Sequence, residues 1–382
     1  MALDPSEAAG IPNRLIALYS DAEIALLTAM TQAIISGINT PEWEAMQPQE
    51  MLRFRQLAEA IAAQLQEQMP SMVTDAIVEA AARGRAAADA ELADVPTALP
   101  KPPELYLPAP NTRQAAQQAW LTLAQFTQQI PGNAVGLYGQ VITQVRMRSA
   151  NAPRVKQSAG VLYGNQMAPG ERLDAVQKSL DQLTKRGITG FQDVRQRNWS
   201  LTSYLEMKSR TIVNQTLIDS HTDRMVERGQ DLIVVSSHRN PAPQCQPFEG
   251  QVLSLSGETG TVIRPSAIGG RGVKVRIKAT LEQARAAGFQ HPNCGHAVSA
   301  FVPGASRTFK TEPNPEGYEA TQQQRAMERG IRDTKRQLAV AATPQAKREL
   351  NARLRSQREA IRDHIDEWDL KRRPKREQLG AR

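Results

Sequence analysis

A chain of 382 residues is too long for one simple core, so two or three folding units are expected. Its 40% hydrophobic, 23% charged and 4% aromatic content suits a soluble, helix-leaning protein; the lack of an apolar run of about 18 residues and of a basic-then-apolar N-terminus argues against a helical membrane span and an export signal. The net charge of +8 belongs to the C-terminus: residues 319–382 carry 17 Lys/Arg against 10 Asp/Glu, the preceding 318 residues 30 against 29.

Residues 20 to 95 read as helical. Ser20 with Glu23 forms a capping-box pattern, and Gly37 is placed to stop the first helix. Ile24, Leu27, Ile34, Ile35 and Ile38 mark its apolar stripe, while Thr28, Thr31, Gln32 and Ser36 make it amphipathic. Thr40-Pro41-Glu42 restarts a helix with Pro41 in its first position. Pro70 interrupts the pattern, and an Ala-rich helix follows from about Ser71 to Asp94. Six prolines between Val95 and Pro110 predict an extended, semi-rigid linker.

Helical character resumes from Thr112 to Ile130, and Pro131-Gly132-Asn133 and the stretch Gly136 to Gly139 predict loops. Glu171 to Arg186 is an amphipathic helix stopped by Gly187, and a longer one from Leu201 to Arg228 ends at Gly229. The period then changes. Asp231–Ser237 and Gln251–Ser256 read as β-rich runs, and Val273–Lys278 alternates apolar and basic residues as a half-buried strand does. Thr280 with Gln283 caps a short helix ending at Gly288. Further on, Met327, Ile331, Leu338 and Ala342 step at near-heptad spacing. After Thr343-Pro344 so do Leu350, Leu354, Ile361, Ile365 and Trp368, which predicts an αα-hairpin.

The expected fold is therefore mostly α with a small α+β domain. Residues 1–94 form a helical N-terminal domain and 95–111 a Pro-rich linker. Residues 112–304 form a central mixed α+β domain with a short sheet, and 305–382 a basic helical hairpin and tail.

Soft-ligand chemistry is concentrated between His238 and His296. Both cysteines, Cys245 and Cys294, and three of the five histidines, His238, His291 and His296, fall there. Zinc takes four N or S ligands in a tetrahedron. His238, Cys245, His291 and Cys294, with His296 as a spare, could supply them. A packed core of buried Cys and His is the alternative, and a Cys245–Cys294 disulfide is a third possibility that a reduced cytoplasm disfavours. Cys294 beside His291 or His296, oriented by Glu249 or Asp231, could also make a thiolate nucleophile, although no recognised protease context surrounds it.

Outside this region, Trp199, Tyr204, Met207 and Arg210 form either an interface at the start of a helix or a core stripe. Arg325, Arg329, Arg332, Lys335 and Arg336 lie on one broad helical face, with Glu328 and Asp333 interleaved. The run Lys371, Arg372, Arg373, Pro374, Lys375, Arg376 is the sharper candidate for DNA or an acidic protein surface, being compact and flexible.

Several blocks in order carry a family resemblance: Thr40-Pro41-Glu42-Trp43; Leu173 to Leu180 leading into Gly187 to Phe191; Asn198-Trp199 through Tyr204, Glu206, Met207, Arg210 and Thr211; Ser236 to His238; Cys245 with Gly250; His291 to His296; and Gln324 to Arg332. With these the chain resembles the phage minor capsid protein 2 family, relatives of the Mu F-like head morphogenesis proteins of tailed bacteriophages. The resemblance implies a low-copy component of the phage head interior, near the portal, that aids head assembly, DNA packaging or DNA delivery. Its implied partners are the portal protein, major capsid or scaffold proteins and packaged DNA, with no membrane; its implied location is the virion, and the host cytoplasm during assembly. Mu F-like relatives often carry a Cys-x-x-Cys pair and a further Cys after the His-x-x-Cys; here Ala242 and His296 stand in those places. The alternative reading is a metal-dependent enzyme, a nuclease or protease acting in the head.

Overall fold

In the computed structural model, residues 3, 8, 10–93, 112–150, 169–184, 191–192, 198–199, 201–291 and 294–379 are described. They form eight α-helices and a small five-stranded mixed sheet, a mostly α chain with an α+β part. The Pro-rich stretch 95–111 and Gly187 lie outside the described residues.

Helix α1 spans Asn13–Ile35. It starts before Ser20, so Ser20 and Glu23 are interior and buried and do not form a cap. Leu15, Ile16 and Tyr19 extend the buried stripe upstream, and that burial sets the start. Gly37 ends the turn after α1 in the left-handed region, φ +65°.

Helix α2 is one 50-residue element, Trp43–Leu92; Pro41 lies in the turn before it and Pro70 does not break it. Helix α3, Thr112–Ala150, likewise runs through Pro131 and the glycines expected to form loops. A proline inside a helix costs about 3 kcal/mol. Each of these is outweighed by a continuous buried face: Leu65, Met69, Val73 and Ile77 in α2, and Ile130, Ala134, Tyr138 and Val141 in α3. Helix α4 is Pro169–Thr184. A two-residue ribbon, β1 Phe191–Gln192 with β2 Asn198–Trp199, precedes helix α5, Leu201–Glu227, which gives way to Gly229 at φ +83°.

Strands β3 Leu232–Val235, β4 Val252–Ser254, β5 Gly260–Arg264 and β6 Val273–Thr280 follow. Helix α6, Leu281–Ala286, opens with the expected capping box: Gln283 N donates to Thr280 Oγ1 at 3.0 Å, and Thr280 N to Gln283 Oε1 at 3.0 Å. Strand β7 is Val298–Ala300. The hairpin is α7, Pro315–Ala339, and α8, Pro344–Glu367, capped by Thr343.

Two compact units are formed, each from three segments. The first comprises Met1–Asn13, Ser71–Trp120 and Glu206–Gln323. Its sheet has the order β5-β6-β4-β3-β7, with β4 and β6 parallel and the other pairs antiparallel. Alternation along β3 sends Ile233 and Val235 into a core with Ala80 and Ala88 of α2, Leu217, Ile218 and Met225 of α5, Phe248 and Phe289. Leu232 joins a second cluster with Val252, Val275, Ile277 and Phe301. His221, fully buried on α5, lies 3.1 Å from Glu91 of α2 through Nε2, and the other oxygen of Glu91 accepts from Ala300 N of β7 at 2.8 Å.

The second unit comprises Arg14–Pro70, Leu121–Leu205 and Gln324–Arg382. Buried Tyr19 meets Thr127 at 2.6 Å and Met69 Sδ at 2.8 Å, and burial pushes its hydroxyl up to about 12. The block around Trp43 has a structural purpose. Trp43 Nε1 donates to Ile34 O at 2.7 Å, Arg172 stacks over the indole, and Arg172 Nη1 donates to Ile38 O at 2.6 Å. The hairpin seam is zipped as its spacing predicts, Ile331 against Leu354, Ile361 and Ile365, and Leu338 against Leu350.

Candidate functional site

Two loops of the first unit meet at the ends of β3 and β7. Ser236 N donates to Ala297 O at 3.0 Å and Ala297 N to Ser236 Oγ at 2.9 Å, which fixes them side by side. The first loop continues through His238 to Cys245, a single 3-10 turn Gln246–Phe248, Glu249 and Gly250. Gly250 has φ +67°, and a Cβ there would run into the Phe309 carbonyl, so glycine is required. The second loop leaves α6 through Gly288 and Phe289, turns with Cys294 N donating to His291 O at 2.9 Å, and enters β7 after His296.

Cys245 Sγ and Cys294 Sγ are 3.7 Å apart, and Cys294 Sγ is 3.2 Å from His296 Nδ1. These three ligand atoms lie within 4.8 Å of one another, all on buried residues, and the group could bind a metal. Both cysteines are free thiols. His291, in the same loop as Cys294, is not part of this three-atom group. On its far side, His296 Nε2 meets Glu249 Oε1 at 2.8 Å. Glu249, 1% exposed, takes the His238 N–H on the same oxygen at 2.5 Å, while its Oε2 is buried with no hydrogen-bond partner.

The Cys294 thiol alongside and burial push the Cys245 thiol up, against the pull of His291 and His296. For His296, burial works against the proton, but its bonds to Cys245 and Glu249 outweigh it and raise the ring's basicity. A thiol held in its neutral form is the opposite of an activated nucleophile.

The sequence placed His296 as the spare, whereas the structure puts it at the centre. His238 stands at the rim: its ring is exposed, its Nδ1 accepts from Asn240 N at 3.2 Å, and its ring lies 5.6 Å from that of His296. Sequence reasoning gave Glu249 a role as an orienting acid or as the acid of a metal-assisted nuclease; its burial against His296 had no local signal.

Of the other interface candidates, Tyr204 and Arg210 are engaged within the chain. The Trp199 side chain lies outside the described residues, although its backbone pairs with Phe191 in the ribbon. Tyr204, in the second unit, tilts against Phe126 with ring centroids 4.7 Å apart. Arg210, in the first, donates to Glu206 at 3.2 Å and to Asn13 at 3.5 Å.

The basic tail, expected to be flexible, is instead held against α7. Gln324 donates to Lys371 O at 3.0 Å, Lys335 Nζ to Glu377 O at 2.7 Å, and Arg332 to Arg376 O. Arg372 pairs with Glu377 at 3.2 Å, and Arg376 lies 4.0 Å from buried Glu328. Lys371, Arg373 and Lys375 remain exposed and, among the described residues, form no salt bridge. Of the predicted basic face on α7, Arg336 turns inward to Glu23 and Arg332 and Lys335 hold the tail; Arg329 is the exposed member.

Burial holds the Glu328 carboxyl above its ordinary value, although Arg376, Arg373, Arg332 and Arg325 pull the other way. A raised folded value means that stability is lost as pH rises through it. Glu328→Gln is therefore expected to be harmless near pH 7 to 8 or to raise the melting temperature there, an advantage that fades as the pH falls toward that of an ordinary glutamate. Melting curves across pH check this; a large loss at neutral pH would show that the ionised pair with Arg376 dominates.

No described helix is long and apolar enough to cross a membrane. No match was found among curated proteins or among solved structures. A family model described as phage minor capsid protein 2 matches residues 3–366. Since that match takes in the helices of both units and the thiol–imidazole cluster, the chain belongs to the phage minor capsid protein 2 family.

Proposed function

We propose that this bacteriophage minor capsid protein is a non-enzymatic component of the head interior, associated with the portal and aiding head assembly, DNA packaging or DNA delivery. The family match over residues 3–366 carries the reading. Its partners are the portal protein, major capsid or scaffold proteins, and packaged DNA; its place is the virion, and the host cytoplasm during assembly. Lys371, Arg373 and Lys375 form the DNA-facing contact, with Arg372 and Arg376 anchoring the strip they sit on. The thiol–imidazole cluster binds a metal, and two sulfurs with imidazole nitrogen favour zinc.

Co-expression of the full chain with the portal protein of the same phage tests the central part. Co-elution of the two through size exclusion supports portal association, and separate elution counts against it. A second experiment addresses DNA. Replacing Lys371, Arg373 and Lys375 with glutamine is expected to leave melting unchanged and to weaken duplex binding equally for all sequences. Three lost phosphate contacts should reduce the salt slope of log K by about 3. An unchanged slope would remove this strip from any DNA contact.

A further inference from the structure

We infer that Cys245, His291, Cys294 and His296 close around one zinc ion as a structural centre, with Glu249 as the residue that positions the His296 ring. The inference rests on the reading of the cluster as a metal site and adds its ligand set, its outer support and its role.

The spacing is the first argument. In a tetrahedron with Zn–S of about 2.3 Å and Zn–N of about 2.0 Å, two sulfurs stand about 3.8 Å apart and sulfur and nitrogen about 3.5 Å. The observed separations are 3.7 Å for Cys245 Sγ to Cys294 Sγ and 3.2 Å for Cys294 Sγ to His296 Nδ1. A disulfide would require about 2.0 Å between the sulfurs. The two thiols, in hydrogen-bond contact and not bridged, already stand at a separation that a metal-thiolate tetrahedron accommodates without moving either loop.

The tautomer is the second. Glu249 Oε1 already accepts the His238 N–H, so at 2.8 Å it also accepts a hydrogen bond from His296 Nε2–H, which leaves the Nδ1 lone pair facing the sulfurs. Metal-bound histidines usually donate their other N–H to a carboxylate or carbonyl in this way. Glu249 is itself fixed, nearly fully buried and held by the His238 N–H at 2.5 Å. That contact ties the His238 backbone, and not its ring, to the cluster. A Cβ on Gly295 would lie 3.2 Å from the His238 ring, so glycine leaves room for both.

The fourth ligand is the third argument. His291 is three residues before Cys294, whose N–H donates to the His291 carbonyl at 2.9 Å; its ring lies outside the three-atom group, and a turn of that side chain brings it in as the fourth ligand. Two thiolates cancel the charge of the ion, which allows the centre to be buried. Four protein ligands leave no position for a reactive water, so the site is structural and not catalytic. Its effect is to fasten the loop after β3, which brings Cys245 and Glu249, to the loop before β7, which brings His291, Cys294 and His296.

The test uses the full chain purified under reducing conditions from zinc-supplemented cells. Elemental analysis should give about one zinc per chain. Cobalt substitution should give the intense visible bands and sulfur-to-metal charge transfer of a tetrahedral S2N2 site, and chelation should lower the melting temperature. Competition with a chromophoric chelator should show His291→Ala and Glu249→Ala each binding zinc about 10- to 100-fold more weakly. Glu249→Gln, whose carbonyl can still accept from His296, should retain most of the affinity. Metal-free melting of each variant controls for misfolding. A wild-type chain that takes up no zinc and melts identically with and without chelator overturns both the metal reading and this inference. One zinc per chain with affinity unmoved by His291→Ala overturns only the four-ligand assignment. Equal losses in Glu249→Ala and Glu249→Gln overturn only the positioning role.

Discussion

Gly84→Ala is expected to cost about 3 kcal/mol or more, or to prevent the first unit from folding, because the added atom meets backbone and not a pliable side chain. A Cβ at this position falls far inside contact distance of the Leu217 carbonyl and 3.1 Å from the His221 amide nitrogen, both on α5. The glycine thus sets how closely α2 and α5 approach. Relief would require α5 to move, which would disturb the Glu91–His221 contact at 3.1 Å and the Asp89–Arg224 pair at 2.8 Å together. Ala86→Gly, two residues along on the exposed side of α2, is the control and should cost about 1 kcal/mol from helix propensity alone. Urea unfolding of both variants measures the difference. A Gly84→Ala protein as stable as the wild type would show that the two helices do not cross this closely.

Arg336→Met is the second large effect, expected to destabilise the second unit by about 3–5 kcal/mol. Arg336 and Glu23 are each under 6% exposed, with Nε to Oε2 at 3.3 Å. Arg336 also reaches Asp333 at 2.7 Å, and Thr202 donates to Glu23, whose other oxygen has no hydrogen-bond partner. Removing the guanidinium leaves a buried carboxylate with one hydroxyl for company. Replacing both partners, Glu23→Leu with Arg336→Met, should recover most of the loss, since an apolar pair of similar volume needs no charge compensation. If the double variant is as unstable as the single one, the cost comes from packing and not from the orphaned charge.

Much of this architecture was legible in the sequence wherever a signal is local. The capping box at Thr280, the heptad seam from Met327 to Ile365, the alternation in Val273–Lys278 and the glycine stops at Gly37 and Gly229 each act within a turn or two, and all are present. The misreadings arose where a distant partner decides. Pro70 and Pro131 each remove one hydrogen bond, but the apolar faces on either side are buried by residues far away in sequence, and that burial keeps the helices continuous. Ser20 and Glu23 have the spacing of a cap, yet the stripe running back to Leu15 places them mid-helix, where Glu23 finds Arg336 more than 300 residues later. Strands β5 and β7 were missed because Gly260–Arg264 and Val298–Ala300 are short and earn their place by pairing with β6 and β3.

The thiol–imidazole cluster was half legible. Composition alone gathered its Cys and His residues into one region. Which nitrogen faces the sulfurs depends on Glu249, and which histidine stands aside depends on the His238 backbone bond to that same carboxylate. Neither has a spacing signature. The tail shows the same limit: its charges were visible, but its docking on α7 depends on backbone acceptors at Lys371, Arg376 and Glu377.

The most direct test of the central claim is quantitative mass spectrometry of purified virions and empty proheads of the phage that encodes this chain. The account predicts that it is present in heads at a few copies per particle, far below the major capsid protein, and that it fractionates with the portal when heads are dissociated. Its absence from both particles, with the chain abundant in the infected cell, would contradict a role in the phage head.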